Sequence, residues 1–299
     1  MSILTIGGTG VLGSQATLML ARRGHKVAAL VRGGASHSKS AQLINAGVQV
    51  VDGDLTHPNT LRTAVSGIET VVCSATSMPT AVNAGLRNVD HDGTLHLIDA
   101  AVAEGVKRFV YVSYSGNIRE DSPLESAKRD CENRLLGSSM EVVILRPSYF
   151  MEMWLSPALG FDPTNGSVRV YGAGDAKVSF ISYSNVADFM VAVAGGESEA
   201  KTTVLELGGP EALSQLDAVR VFERELGKEI RVDHVPLEAL QMQHQSSDPL
   251  QKTFGALMLG YAKGDVVKEA ASVAQRYRIS LRSVSEYASG FRSPATGVA

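Results

Sequence analysis

A glycine-rich segment near the start of the chain has the residue types and spacing of a dinucleotide-binding turn. Gly7, Gly10 and Gly13 follow a short apolar run and open a helical pattern. The first glycine permits a tight turn, the second lets the backbone approach a pyrophosphate, and the third lets the helix pack closely on the strand. The amides at the start of such a helix favour bound phosphate. The predicted contact set consists of these glycines with Thr9, Val11 and Leu12.

The residues after the second and third predicted strands favour NADP(H) over NAD(H). An NAD-binding turn carries an acidic residue at the end of strand two, and this chain has Arg32 there. A guanidinium suits a 2′-phosphate, and Lys39 could add a second cation. Asp54, followed by Leu55, is placed to face the adenine. The alternatives are that Arg32 is merely solvated and that Asp54 only stabilises a turn.

The elements that must position these residues alternate regularly through the first half of the chain. The predicted strands are 3–6, 26–31, 48–51, 70–73, 109–112 and 141–145, with helices over 11–23, 42–46, 61–65, 92–104 and 122–136. Such alternation predicts a parallel sheet covered by helices on both faces. The second half is less regular. It has predicted helices over 184–194, 214–226 and most of 237–274, strands 204–207 and 230–235, and a loop-rich stretch 154–174.

We expect a cofactor-binding domain over 1–150, a smaller substrate lobe over 151–290 that is partly interleaved with the sheet, and a disordered tail over 291–299. No linker separates the halves, so the second lobe should pack on the carboxyl ends of the strands, where ligands bind. An apolar cluster there could be core or the wall of a substrate pocket, and its members are Met151, Met153, Trp154, Leu155 and Phe161. His234, Met242 and His244 could join that pocket.

Charge and composition exclude several classes of protein. The 299 residues carry 28 Lys+Arg and 31 Asp+Glu, a formal net charge of −3. We therefore expect neither a nucleic-acid nor a membrane partner. The chain has no basic leader and no long apolar span, which predicts a cytoplasmic protein. Its two cysteines cannot build a disulfide framework, and its seven histidines have no metal-ligand spacing, so no metal is expected.

Several short stretches together resemble a known superfamily. They are Thr5-Ile6-Gly7-Gly8-Thr9-Gly10, Asp52-Gly53-Asp54-Leu55, Asn88 to Thr94, Gly105 to Ser113, Leu145-Arg146-Pro147 and Gly208 to Ser214. On these residues the chain resembles the short-chain dehydrogenase/reductase superfamily, most closely its atypical NmrA-like and isoflavone-reductase-like group. The resemblance implies an α/β fold with a Rossmann-type, doubly wound, seven-stranded parallel sheet and a smaller carboxyl-terminal substrate lobe. It also implies hydride transfer at a nicotinamide.

The resemblance assigns further roles to residues after strands four, five and six. Ser74, Ala75 and Thr76 would line the ribose region of the cofactor, and Ser113 would border the nicotinamide ribose. Lys128 would hold a ribose hydroxyl. The residues expected beside the nicotinamide ring are Pro147, Ser148, Tyr149 and Phe150.

One departure from the superfamily bears directly on catalysis. The usual acid is the tyrosine of Tyr-x-x-x-Lys, and although Lys128 fits the lysine, Leu124 stands at the tyrosine position. The position of the partner Ser/Thr is taken by Tyr114. The proton donor could therefore be Tyr114 or Lys128. A third alternative is that the acceptor is a quinone or dye that needs no acid, and a fourth is that there is no chemistry.

These observations predict an NADPH-preferring reductase that passes hydride to a small apolar acceptor such as a quinone or an enone or carbonyl compound. The alternative is a non-catalytic NADP(H)-binding redox sensor or a regulatory or assembly protein, which the missing tyrosine favours. An epimerase is disfavoured, because it needs that tyrosine as its base. The expected partner is a small-molecule substrate, and the expected state is a monomer or a homodimer.

Overall fold

The computed structural model describes residues 1–80, 84–196 and 201–292. Its strands are β1 Ser2–Ile6, β2 Lys26–Val31, β3 Gln49–Asp52, β4 Thr70–Cys73, β5 Arg108–Val112, β6 Glu141–Pro147, β7 Phe161–Asp162, β8 Ser167–Tyr171, β9 Lys177–Val178, β10 Thr202–Leu207, β11 Leu213–Ser214 and β12 Arg231–Val235. The expected disordered tail falls mostly on 293–299, which lies outside the described residues.

Helices connect and cover these strands. They are α1 Val11–Arg22, α2 Ser40–Asn45, α3 Pro58–Val65, α4 Thr94–Ala103, α5 Pro123–Leu136, α6 Met151–Trp154, α7 Tyr183–Ala194, α8 Gln215–Leu226, α9 Leu237–His244, α10 Pro249–Lys263, α11 Ala270–Arg276 and α12 Val284–Ser289. A π-helix, Leu86–Gly93, runs directly into α4. The α5 helix begins as predicted, with Ser122 accepting from the Glu125 amide and Pro123 in the first position.

A seven-stranded sheet organises the molecule, in the order β10-β6-β5-β4-β1-β2-β3, and its paired strands are parallel. One face packs against α1 and α7, and the other packs against α3, α4 and α5. Because both faces are covered, apolar residues fill even the short β4, where all four residues are buried. The predicted doubly wound α/β fold is confirmed.

The second half of the chain contributes to two parts of the structure. Its strand β10 pairs with β6 from Thr202 opposite Val142 to Leu207 opposite Pro147, and so forms one edge of the main sheet. The rest forms a smaller lobe around the β7–β8–β12 sheet and α8 to α10. The core of this lobe also contains Tyr114 and Leu124 from the first half, so the lobe packs at the carboxyl ends of the strands.

Two predictions about local structure were wrong. The stretch 154–174 is not only loop, because Ser167–Tyr171 forms β8, between β7 and β12. Glycines with positive φ at 166 and 172 flank this strand, and they made the short alternation of apolar residues in the sequence look like a loop. The helix predicted from residue 92 begins earlier, with the π-helix. The polar residues of that segment disfavour a helix in the sequence pattern, but burial overrides their preference.

Candidate functional site

A cavity of about 680 Å³ runs along the carboxyl ends of the sheet strands and into the second lobe. Its lining includes Tyr114 and every residue predicted to bind the cofactor except Lys39: Gly7, Thr9, Gly10, Val11, Leu12, Gly13, Arg32, Asp54, Leu55, Ser74, Ala75, Thr76, Ser113, Lys128, Pro147, Ser148, Tyr149 and Phe150. The strand order places the residues after β2 and β3 on one side of the glycine turn and those after β4, β5 and β6 on the other. We call the glycine turn together with the residues after β2 and β3 the phosphate end, and the residues after β4, β5 and β6 with their neighbours in the second lobe the aromatic end.

The glycine turn leaves the start of α1 open to the cavity. Gly7 has φ +85°, and the amide of Gly10 donates to the Gly7 carbonyl at 2.9 Å. A Cβ on Gly13 would lie 2.2 Å from the Gly7 carbonyl oxygen, so only glycine fits where the helix meets the turn. No side chain caps α1, and its first turn has no acidic residue. Its first amides are therefore available to an anion.

Cationic side chains stand beside this turn at the phosphate end. Arg32 is exposed, lines the cavity, and has no acidic partner within the described part of the chain. Lys39 Nζ donates to the Thr9 carbonyl oxygen at 2.7 Å, which ties this lysine to the turn. The carboxylate of Asp54 accepts the Thr56 amide at 2.9 Å. Asp54 therefore stabilises a turn and also lines the cavity.

Lys128 occupies the floor of the aromatic end. It is buried, and Nζ donates to the Val112 carbonyl oxygen at 3.2 Å. Nζ also lies 4.0 Å from Asp90 Oδ1 and 4.9 Å from the centre of the Tyr111 ring. The sequence analysis did not single out Asp90. The sequence feature that could have indicated it is a carboxylate within the Asn88 to Thr94 stretch. In the π-helix, Asp90 lies on the buried side with Leu86 and Gly93.

Tyr114 is also buried at this end of the cavity. Burial raises the pKa of its phenol far above the ordinary value; the Ser122 hydroxyl opposes this rise and the Glu125 charge adds to it. The phenol therefore keeps its proton throughout the neutral range. Leu124, at the position of the missing tyrosine, is buried and lines the cavity as an apolar side chain.

The hydroxyl of Ser113 points to the protein rather than being free for a ligand. It donates to the buried Glu132 carboxylate, which also binds the guanidinium groups of Arg129 and Arg146. Burial alone would raise the pKa of Glu132, but the hydrogen bonds from Arg146 and Ser113 and the charge of Arg129 outweigh it and lower that pKa. Ser113 could still accept a hydrogen bond from a ribose, but its own proton is already engaged.

Aromatic side chains build the wall that faces Lys128 and Tyr114. Tyr149 packs edge-on against Trp154 with ring centroids 4.7 Å apart, and its hydroxyl donates to the Leu257 carbonyl oxygen at 2.9 Å. Phe150 lies 4.4 Å from Tyr183, centroid to centroid. The sequence analysis missed some of this lining, because it lies on second-half helices or in a loop that no motif marks: Ser77, Tyr183, Phe254 and Leu257.

The apolar cluster at the start of the second lobe was expected to form either core or the wall of a substrate pocket, and its members divide between these two roles. Met153 and Trp154 line the cavity, whereas Met151, Leu155 and Phe161 are buried in the core. The expectation for the residues near α9 was wrong, because none of the three lines the cavity: His234 contacts the Gly172 carbonyl, His244 contacts the Asp121 carbonyl, and Met242 is 68% exposed.

Residues 1–80, 84–196 and 201–292 lack two features. No group of three or more His, Cys, Asp or Glu side chains is placed to hold a metal ion. No helix combines the length and apolar character that a membrane crossing requires.

Comparison with known proteins places the chain among relatives of diverse roles. The NmrA-like family profile matches residues 1–288. The photosystem II assembly factor Ycf39 of Trieres chinensis is 31% identical over 251 residues, covering 82% of this chain and 75% of that protein. The NAD(P)H azoreductase of Xenophilus azovorans is 30% identical over 241 residues, covering 79% and 78%.

The fold is shared with solved structures at lower identity. The NADPH-dependent quinone oxidoreductase QOR2 of Escherichia coli, in complex with NADPH, superposes with a TM-score of 0.78 at 21% identity. The match covers 96% of this chain and 99% of that one.

Proposed function

The chain belongs to the NmrA-like family, and from this premise we propose that it is an NADPH-dependent reductase acting on a small apolar acceptor such as a quinone or an enone or carbonyl compound. The observation that carries the proposal is that one continuous cavity contains both the uncapped amino terminus of α1 and an aromatic wall. A dinucleotide needs the first feature, and an apolar acceptor needs the second. The azoreductase among the relatives supports the same class of reaction.

The residues present fit NADPH at the phosphate end. The close approach at Gly13 and the uncapped start of α1 suit a pyrophosphate. Arg32 would bind the 2′-phosphate, because it is exposed, lines the cavity and has no competing carboxylate among the described residues. Lys39 would add a second positive charge beside Thr9. When bound, the reduced nicotinamide supplies a hydride.

At the aromatic end the chain's own residues would orient the acceptor and exclude water. Tyr149, Phe150, Met153 and Trp154 offer flat apolar contacts to a planar compound. Lys128 would hold the ribose and is the preferred proton donor. Tyr114 keeps its proton at neutral pH, so it would donate a hydrogen bond to an acceptor oxygen. We place the protein in the cytoplasm, as a monomer or a homodimer.

A second candidate function is a non-catalytic NADP(H)-binding regulatory or assembly protein. Leu124 in place of the usual tyrosine favours it, because the common proton donor of the superfamily is missing. The similarity to a photosystem II assembly factor favours it as well. Both candidates use the same phosphate end, so they differ only in what happens at the aromatic end.

The test is calorimetry of NADPH and NADH binding, followed by NADPH oxidation with a panel of quinones, enones and aldehydes. We expect NADPH to bind more tightly than NADH and to be oxidised with at least one acceptor. Lys128→Met removes the proposed proton donor and tests that role. Its matched control is Lys107→Met, a change at an exposed lysine that does not line the cavity. Tight binding without turnover across the panel would favour the regulatory candidate. A protein that binds neither dinucleotide would overturn both.

A further inference from the structure

A buried pair of opposite charges lies beneath the aromatic end of the cavity. We propose that Asp90 is a positioning residue that holds the Lys128 side chain in place, so that Lys128 donates the proton to the reduced acceptor. This inference rests on the proposed function. It adds a residue whose role no motif of the sequence assigns.

The two oxygens of the Asp90 carboxylate have different surroundings. The Asp90 side chain is fully buried. Oδ2 accepts the amide of Ser77 at 2.9 Å and its hydroxyl at 2.5 Å. Oδ1 has no hydrogen-bond partner within the described residues, and it is the oxygen that lies 4.0 Å from Lys128 Nζ. A buried carboxylate requires a countercharge, and Lys128 is the cation within reach.

Three other titratable groups near Lys128 keep their protons near neutral pH. They are Cys73 on β4, Tyr111 on β5 and Cys131 on α5. Burial raises the pKa of the Cys73 thiol, brings that of Cys131 to about 12, and raises that of Tyr111 well above its usual range. Within this set, Asp90 is the acidic side chain that faces the Lys128 amine.

Asp90 also connects Lys128 to the loop that follows β4. Ser77 lines the cavity, and both of its donors are fixed by the Asp90 carboxylate. The carbonyl of Asp90 accepts from Cys131 Sγ at 3.5 Å, which anchors the π-helix on α5. Turns of π-helix are frequent at functional sites, and the π-helix Leu86–Gly93 carries the Asp90 side chain. Here that side chain faces Lys128.

The chemistry balances with the reductant of the proposed function. A quinone or carbonyl acceptor that receives a hydride from NADPH gains two electrons and one hydrogen, and one of its oxygens is left negative. Lys128 Nζ then gives that oxygen a proton: an N–H bond breaks and an O–H bond forms. The neutral amine regains a proton from water after the product leaves. A carboxylate 4.0 Å away favours that return to the charged form.

The experiment substitutes Asp90→Asn, which keeps the shape and removes the charge. Lysine labelled with ¹³C at Cε gives an NMR signal for Lys128, identified by its loss in Lys128→Met. We expect that signal to move in Asp90→Asn, because the carboxylate that lies 4.0 Å from Nζ is gone. Asp92→Asn is the matched control and should leave the signal in place, since Asp92 lies in the same π-helix and pairs with Arg87. An unmoved signal in Asp90→Asn would overturn the inference.

Kinetics separate this inference from the proposed function. Asp90→Asn should lower kcat more than it changes KM, because the proton donor is no longer held in place. A moved NMR signal with an unchanged kcat would overturn the assignment of Lys128 as proton donor. A wild-type protein with no turnover would contradict the proposed function, and the NMR comparison would then still test the contact between Asp90 and Lys128.

The substitution leaves the buried Lys128 amine without its acidic partner, so folding is measured separately. If Asp90→Asn unfolds, the double variant Asp90→Asn/Lys128→Met is expected to recover most of the lost Tm, because both charges are then gone. A double variant no more stable than Asp90→Asn would contradict the pairing.

Discussion

The two ends of the cavity are built in different ways. The phosphate end consists mostly of consecutive residues of the glycine turn, and its contacts are main-chain amides at the start of α1. The aromatic end gathers side chains from the β4 loop, α5, α7 and α10, among them Lys128, Tyr183 and Phe254. A site made from local backbone depends on a few glycines, whereas a site made from distant side chains depends on the whole fold.

Gly13→Ala is expected to have the largest effect on NADPH affinity. It tests whether the phosphate end binds the cofactor through main-chain amides of the glycine turn. Gly13→Ala places a Cβ 2.2 Å from the Gly7 carbonyl oxygen, so the turn must move. Overpacking of this kind costs about 1–3 kcal/mol or more. We expect calorimetry to show NADPH and NADH binding weakened together, by about 150-fold or more.

A matched glycine at the end of α5 provides the control. A Cβ at Gly137 would meet its nearest atom at 3.5 Å, an ordinary contact, and φ there is −80°. Gly137→Ala should therefore leave both affinities unchanged. Equal losses in the two variants would show that the effect is general destabilisation and not a displaced turn.

Arg32→Asp is expected to have the next largest effect, because Arg32 is the side chain that we assign to the 2′-phosphate. Loss of a charged hydrogen-bond partner should weaken NADPH binding by about 1–3 kcal/mol, or roughly 5- to 150-fold. NADH has no 2′-phosphate, so its affinity should stay the same. Titrating both dinucleotides into one protein preparation makes NADH the internal control. Equal losses of NADPH and NADH affinity would contradict the assignment of Arg32 to the 2′-phosphate.

Glu132→Gln should change cofactor affinity least, by about threefold or less, while lowering stability by about 1.5–3 kcal/mol at pH 7. The pKa of Glu132 is lowered in the folded protein from an ordinary value of 4.5. The stabilisation by its charge is therefore complete above about pH 4.5 and is lost as the pH falls through the folded pKa.

Urea unfolding at several pH values measures this difference. The gap in unfolding free energy between the wild type and Glu132→Gln should be constant near neutral pH and narrow below about pH 4.5. A gap that stays constant into the acid range would contradict the role of the Glu132 charge and point to packing instead.

The same contrast explains how much the sequence could predict. The glycine turn, Arg32 and six of the seven sheet strands follow from local patterns, and the seventh, β10, was predicted as a strand in the second half. The cavity side chains of the second lobe, such as Tyr183 and Leu257, come from helices whose apolar residues look like ordinary core. Asp90 was missed for another reason: a carboxylate's burial and its distance to Lys128 are tertiary properties that no spacing reveals.

The strand β10 has a consequence for the order in which the protein is synthesised and folds. Its partner β6 ends at Pro147, but β10 does not leave the ribosome until residue 207 has been added. Until then the nascent sheet ends at β6, whose apolar edge is unpaired and open to other chains. The cofactor-binding half is thus complete in sequence well before its sheet is complete, and during that interval the free edge of β6 is a place where a second chain can pair.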